Sequence, residues 1–355
     1  MGCDKVEVLD NKCPACGAKI TFNPKNQMWD CEYCGSKFTL EEMQKYDNAS
    51  SKEANEKPKE KEYKKLENLD VYRCKNCGAE VMADETTTAT FCVYCGSTTI
   101  LKDKITDGIA PTQIIPFKNV KEEAIKSFKA LSKGRPLMPK FFNDPKNIDK
   151  ITGVYIPFWT YDLNVSGDID FNYDRITTWS DYNYHYRKKD TYLAKRQANM
   201  NFKKVLVDGS SRFDDNLMDS LEPFEYKDLV EYNHAYLSGF LAEKYDIDKE
   251  KSITRANTRT MNTAVDETKA TIPEVSAFVT SNNLNIKKVQ DDYILLPVWM
   301  VNVKYKEKYY TFAMNGQTGK IVGNIPLDKP KVVIMTLIIY ILLTALSFAI
   351  LWLVR

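Results

Sequence analysis

The chain of 355 residues has room for two or three domains and for at least one sizeable hydrophobic core. Its 50 basic and 48 acidic residues leave a formal charge of +2, which excludes a global field that would draw it to nucleic acid. The opening MGCDKVEVLD contains acids and lacks an apolar stretch, so no secretory signal is expected, and the nine cysteines are expected in a reducing compartment, where paired cysteines usually hold metal.

Residues 1–40 and 71–103 are read as two small β zinc ribbons. The first is KCPACGAKITFNPKNQMWDCEYCGSKF, with Cys13, Cys16, Cys31 and Cys34; the second is RCKNCGAEVMADETTTATFCVYCGSTT, with Cys74, Cys77, Cys92 and Cys95. Each has C-x2-C, fourteen residues, then C-x2-C, and each pair is followed by a glycine. A metal knuckle turns the chain tightly around its two sulfurs and drives the next residue toward positive φ, where glycine fits. Four thiolates complete a tetrahedral structural site with no open position for substrate; zinc is the expected ion, and a single iron in the same geometry is the alternative. A unit this short needs the metal for much of its folding energy. Met1-Gly2-Cys3 departs from the myristoylation pattern at Val6, which leaves Cys3 as the odd cysteine.

These units resemble the ribbons of transcription factor IIB and RNA polymerase subunits, but their charge does not favour phosphate. With its metal and four thiolates the first is near neutral and the second about −3, whereas a nucleic-acid surface is basic. Phe22, Trp29, Tyr33, Phe91 and Tyr94 are read as hairpin packing rather than base-stacking platforms.

The stretch 41–70 is a charged linker with eleven charges of both signs within residues 52–67, a solvated tether or a frayed helix that would let the ribbons move independently. Residues 104–330 read as an α+β domain with an antiparallel sheet. KNVKEEAIKSFKALSKG is one helix with Val120, Ala124, Phe128 and Leu131 on a face. GVYIPFWTYDLNVSGDIDF and DDYILLPVWMVNVKYKEKYYTFAMNGQTGKIVGNIP are strands; the shared YI-PFW and YILLPVW patterns suggest a duplicated element, with proline expected at an edge or strand start. NGQTG is a hairpin turn, DYNYHYRKKDTYLAKRQANMNFKKVLV a further long hairpin, and the stretch from Leu221 to Val265 loop and helices. His185 and His234 stand far apart, and no phosphate loop, nucleophile elbow or H-E-x-x-H occurs, so no enzyme is expected. The run Arg187, Lys188, Lys189, Lys195, Arg196, Lys203 and Lys204 is a solvated strand face or lies against lipid headgroups.

Residues 331–355 are read as a transmembrane anchor. Val332 to Val354 holds 23 residues without a charge, about 35 Å of helix against a hydrocarbon layer of about 30 Å. Lys329 and Lys331 before it, and reduced thiolates, place the N-terminal body in the cytoplasm behind a single-pass tail anchor.

GVYIPFWTYD, LEPFEYKDLVEYNHAYLSGFLAEKYD and LLPVWMVNVKYKEKYYTFAMNGQTGKIVG, with all eight paired cysteines, resemble the bacterial double-zinc-ribbon membrane proteins labelled TFIIB-type. The resemblance implies two structural zinc sites on those eight cysteines. It also implies an adaptor that accompanies SPFH-type or phage-shock-type proteins, or a related membrane subunit, in envelope-stress complexes. The expected function is a non-enzymatic scaffold recruiting proteins to the cytoplasmic membrane face; the alternative is a membrane-tethered nucleic-acid binder.

Overall fold

Strand alternation and turn chemistry set out most of the elements. The computed structural model describes residues 13–16, 18–48, 70–74, 78–83, 92, 94, 100–104, 109–131, 135–139, 150–273, 276–305 and 308–353. The first ribbon is a three-stranded antiparallel sheet of β1 (Thr21–Asn23), β2 (Met28–Asp30) and β3 (Lys37–Phe38), followed by α1 (Leu40–Asn48). Thr39 and Glu42 form a capping box at its start, Glu42 accepting from the Thr39 N–H at 2.8 Å.

The body is built on one large sheet. β8 (Thr152–Ser180) is its spine, paired antiparallel with β9 (His185–Asp208) on one side and β12 (Phe278–Tyr305) on the other. β13 (Lys308–Asn315) pairs antiparallel with β12, and the NGQTG turn joins it to β14 (Ile321–Gly323). β7 (Gln113–Ile114) and β10 (Val230–Glu231) extend it beside β12. On the other side β11 (Leu241–Glu243) joins β8 to β5 (Glu80–Ala83), β4 (Asp70–Cys74) and β6 (Ile100–Lys104) from the second cysteine unit. The sheet therefore runs on from the body into the second ribbon. It is mixed rather than purely antiparallel, because β11 pairs parallel with β8, and β7 with β12. Strands of two or three residues carry no alternation to read, so tertiary pairing decides them.

Both halves of the apolar repeat meet. Tyr155 to Trp159 pairs antiparallel with Tyr293 to Pro297, so the two similar motifs face one another across the β8–β12 ladder. Gly153–Tyr161 is buried throughout: Tyr155, Trp159 and Tyr161 enter one core, Val154, Ile156 and Phe158 the other. Burial on both faces explains an unbroken apolar run where a half-exposed strand would alternate. Pro157 and Pro297 sit in mid-strand, not at an edge. Pro157 lies between the end of β9, opposite Phe158, and the pairing of β11 with β8, which reaches Tyr155. Pro297 lies between β7, opposite Leu295, and β13, opposite Val298. Each carbonyl accepts one N–H, from Gly209 and Gly316 at 2.8 Å, and each missing donor falls in a gap between successive partner strands.

α2 (Lys121–Leu131) buries Ala124 and Phe128 against β12 and β13, with Phe128 edge-on to Phe312. α3 (Asp215–Asp219) is capped by the Asp214 carboxylate. α4 (Lys249–Ala270) lies along β8, β9 and β12 on Ser252, Ala256, Thr260, Ala264 and Thr268, a four-residue spacing of small side chains that permits close approach. α5 (Lys329–Leu353) follows Asp328, whose N–H bonds the Leu137 carbonyl, and beyond Val333 it stands clear of the body.

Candidate metal centre

Sulfur geometry in the first ribbon meets the demand of a tetrahedral ion. Four sulfurs each about 2.3 Å from a metal are about 3.8 Å from one another. Sγ of Cys13 lies 3.6 Å from that of Cys34, Sγ of Cys16 3.6 Å from that of Cys31, and all four fall within 4.8 Å. The knuckles are held by backbone bonds: Cys13 N–H to Ala18 C=O at 2.8 Å, Cys31 N–H to Ser36 C=O at 2.9 Å, and Gly35 N–H to Cys31 C=O at 2.9 Å. Gly35 has φ +73°, the conformation expected after a ligand pair. Four thiols this close cannot all ionise unaided. The Ser36 hydroxyl and N–H pull Cys34 down to about 6, while at Cys16 the pull of the Ala18 N–H is outweighed by desolvation and the neighbouring sulfurs, which push it up to about 12. A bound cation is what would let four thiolates coexist.

In the second unit Cys74 and Cys92 are buried and share a cluster with Ala79 and Tyr94. Cys74 N–H bonds Ala79 C=O at 2.8 Å and Gly78 N–H bonds Cys74 C=O at 2.9 Å, with Gly78 at φ +69°. This repeats the Cys31–Ser36 knuckle bond for bond. Cys77 and Cys95 lie outside the described residues, as do residues 49–69 of the charged linker and Phe91.

Both units seat on one segment of the body, Asn233–Glu243, where a tether alone predicts independent motion. Trp29 is fully buried; its indole N–H donates to Ala235 C=O at 2.9 Å, and its ring packs with Phe22 and Tyr236 at 5.0 and 5.2 Å. Phe22 N–H donates to Ser238 C=O at 3.2 Å. These aromatics therefore dock the ribbon instead of filling its own small core, and Cys13 and Cys31 share the main core with Tyr155 and Trp159. A few residues on, Ala242 and Glu243 pair with Met82 and Val81 of the second unit. Arg212 binds the Gly78 carbonyl at 3.1 Å and Glu243 Oε1 at 3.2 Å, and Ser210 Oγ donates to the same oxygen at 2.7 Å. Burial raises the Glu243 carboxyl from 4.5 to about 8, against the pull of Ser210, Tyr94 and Arg212. Sequence reasoning missed this seat, since nothing in NHAYLSGFLAE marks which residues meet the ribbons.

The remaining singled-out residues are scattered. His185 bonds Ser180 Oγ at 2.6 Å on an exposed hairpin end, and the neighbouring Asp181 is engaged by Asn183 N–H, Tyr184 N–H and Tyr186 OH instead of orienting the imidazole. His234 opens a short 3-10 turn near Tyr232. Trp159 and Trp299 are core, whereas Trp179 is half exposed. The run from Arg187 to Lys204 lies along β9. A cleft of about 510 Å³ between the first ribbon and the body, with Phe240, Ile151 and Trp299 beside Asp30, Glu32 and Glu122, is wide and open.

One helix, at Lys329–Ile350, is long and apolar enough to cross a membrane. No family model matches the chain, and no solved structure matches it. It is 35% identical over 326 residues to the Bacillus subtilis (strain 168) protein YdjG, described as uncharacterized, with 92% of each chain covered. A likeness of that depth over 92% of both chains means that the chain belongs to the same family as YdjG.

Proposed function

We propose that the chain is a non-enzymatic, tail-anchored scaffold in which two structural zinc ions, on Cys13, Cys16, Cys31 and Cys34 and on Cys74, Cys77, Cys92 and Cys95, rigidify ribbons that recruit partner proteins to the cytoplasmic membrane face. The observation that carries this reading is the four-sulfur cluster of the first ribbon, which gives a metal its full tetrahedral complement and leaves no position for a substrate. Zinc suits an all-thiolate, redox-inert structural site. The apolar, uncovered α5 supports the anchor, with Lys329 and Lys331 on the cytoplasmic side. The partners are SPFH-type or phage-shock-type proteins of an envelope-stress complex, or a related membrane subunit.

The test places a photo-crosslinking residue at Tyr33, which is 84% exposed on the first ribbon, in the full chain in native membranes. Discrete adducts with membrane-associated proteins, lost in Cys13→Ser, are expected. A monomer without adducts, or fewer than two zinc ions per purified chain, overturns the proposal.

A further inference from the structure

The arm made by β8, β9 and β12 outruns its own cover. α4 ends at Ala270 near the cluster of Val165, Ile169 and Phe171, and the β8–β12 ladder ends at the pair Asn172–Phe278. Asp174 still bonds the Ser276 hydroxyl through its N–H at 3.4 Å and its C=O at 3.2 Å, but from Arg175 to Ser180 and from His185 to Asp190 no third strand joins β8 and β9 among the described residues. A lone two-stranded ribbon is marginal in water without a surface to lean on. On it the strand face that is core lower down emerges as an exposed ladder. Tyr173 stacks on Tyr192 at 5.3 Å, Trp179 on Tyr186 at 5.4 Å, and the Arg175 guanidinium lies 5.5 Å from the Tyr192 centroid. Tyr182 at the turn is fully exposed and Tyr184 is 65% exposed.

The chemistry of this end is specific. Its rings are Trp and Tyr, apolar bodies with a polar handle, the residues that settle at the headgroup level of a bilayer. Residues 173–192 hold four Lys and Arg against three Asp. All three acids are engaged within the hairpin: Asp174 by Lys189 and Asp190 by Lys188, each at 2.9 Å, and Asp181 by the turn. With those two ion pairs set aside, Arg175 and Arg187 stand against Asp181, a surplus of one positive charge that suits an anionic leaflet. Stacked bases are the competing ligand for aromatic and basic residues together. Here the rings already stack on one another across the strands, with interplanar angles of 18° and 11°, which takes up one face of each ring, and the Arg175 guanidinium lies over the Tyr192 ring as well.

We infer that the hairpin tip, Tyr173 to Tyr192, is a second membrane contact that seats in the headgroup layer of an anionic bilayer. The inference rests on the membrane-anchored reading. β14 runs away from the tip, and α5 begins after only five further residues, so the two contacts lie toward opposite ends of the sheet. Held at both, the sheet lies lengthwise along the membrane instead of standing upright on its anchor.

Trp29, Trp159 and Trp299 are buried and Trp352 belongs to α5, so in a Trp352→Phe chain Trp179 is the exposed reporter. This full-length chain is reconstituted in vesicles of phosphatidylethanolamine and phosphatidylglycerol with plain or brominated acyl chains. Brominated lipid is expected to remove up to roughly a quarter of the emission, one indole in four. The loss should vanish in Trp352→Phe/Trp179→Phe and weaken in pure phosphatidylcholine or in Lys188→Gln/Lys189→Gln. Equal emission in plain and brominated anionic vesicles overturns the inference, as does quenching by a 20-mer of dT in place of lipid. Flotation separates the failures: a chain that floats but is not quenched loses only the tip contact, and one that does not float loses the anchor as well.

Discussion

Replacing Trp29 by alanine separates docking of the first ribbon from its folding. The indole is fully buried, touches Phe22 on its own ribbon and Tyr236 on the body, and donates to Ala235 C=O at 2.9 Å. Truncating a buried Trp costs about 3–5 kcal/mol. The ring contact to Tyr236 and the hydrogen bond to Ala235 both cross the seam, so most of the loss falls on docking. At about 1.4 kcal/mol per tenfold, even 3 kcal/mol shifts the docked population by about a hundredfold. Docking covers Cys13 and Cys31, 0% and 2% exposed. On the proposed reading of one zinc ion in each unit, transfer of zinc from the purified chain to a colorimetric chelator reads the effect directly. Trp29→Ala is expected to release one of two ions up to about a hundredfold faster and leave the other at its parent rate. Trp29→Phe keeps a ring and loses only the indole bond to Ala235 C=O, which still accepts from Ser238 N–H at 3.1 Å, so at a cost of about 0.5–1.5 kcal/mol it should fall between. Parent-rate release of both ions from Trp29→Ala would refute the docking argument.

The buried Glu243 gives a pH signature. Its folded carboxyl holds a proton up to about 8 and its unfolded one only to about 4.5, so the folded state binds the extra proton in that window. Stability should therefore fall as pH rises from about 4.5 to about 8, by at most about 1.4 kcal/mol per unit, and urea midpoints should flatten in Glu243→Gln; an unchanged slope in that variant excludes Glu243 as the source. Arg255 bonds buried Asp208 and reaches Asp219 at 2.9 Å and Asp215 at 3.1 Å. Burial raises Asp208 to about 6 even beside that guanidinium, so Arg255→Met should cost about 3–5 kcal/mol and Arg255→Met/Asp208→Asn should recover much of it, as chemical denaturation would measure. A neutral single variant would contradict this. Cys16→Ser and Cys74→Ser should each lower bound zinc from two ions to one by elemental analysis; a chain that keeps two in either variant removes that cysteine from the ligand set.

Much of the site was legible because its signals are local. C-x2-C spacing and the glycine after each pair follow from how tightly a knuckle must turn, and Cys13, Cys16, Cys31 and Cys34 do converge. The apolar run from Val332 to Leu353 fixes its own helix, since a run without charges needs no partner to be read. The NGQTG turn and the helix over Lys121–Leu131 follow likewise from local turn chemistry and period. What the ribbons rest on is not local. β11 has three residues and the seat Asn233–Glu243 has no period, and its worth comes from Trp29, Val81 and Met82, which lie far away in the chain. The prolines make the same point: Pro157 and Pro297 read as edge signals, yet each is tolerated at mid-strand because partner strands change over beside it. By itself the sequence determined which residues can ligate, turn and cross a membrane, as properties of neighbours a few bonds apart. Only the tertiary structure decided that both cysteine units lean on one segment and that an aromatic hairpin outruns its covering helix, because burial and register depend on surfaces brought together from distant parts of the chain.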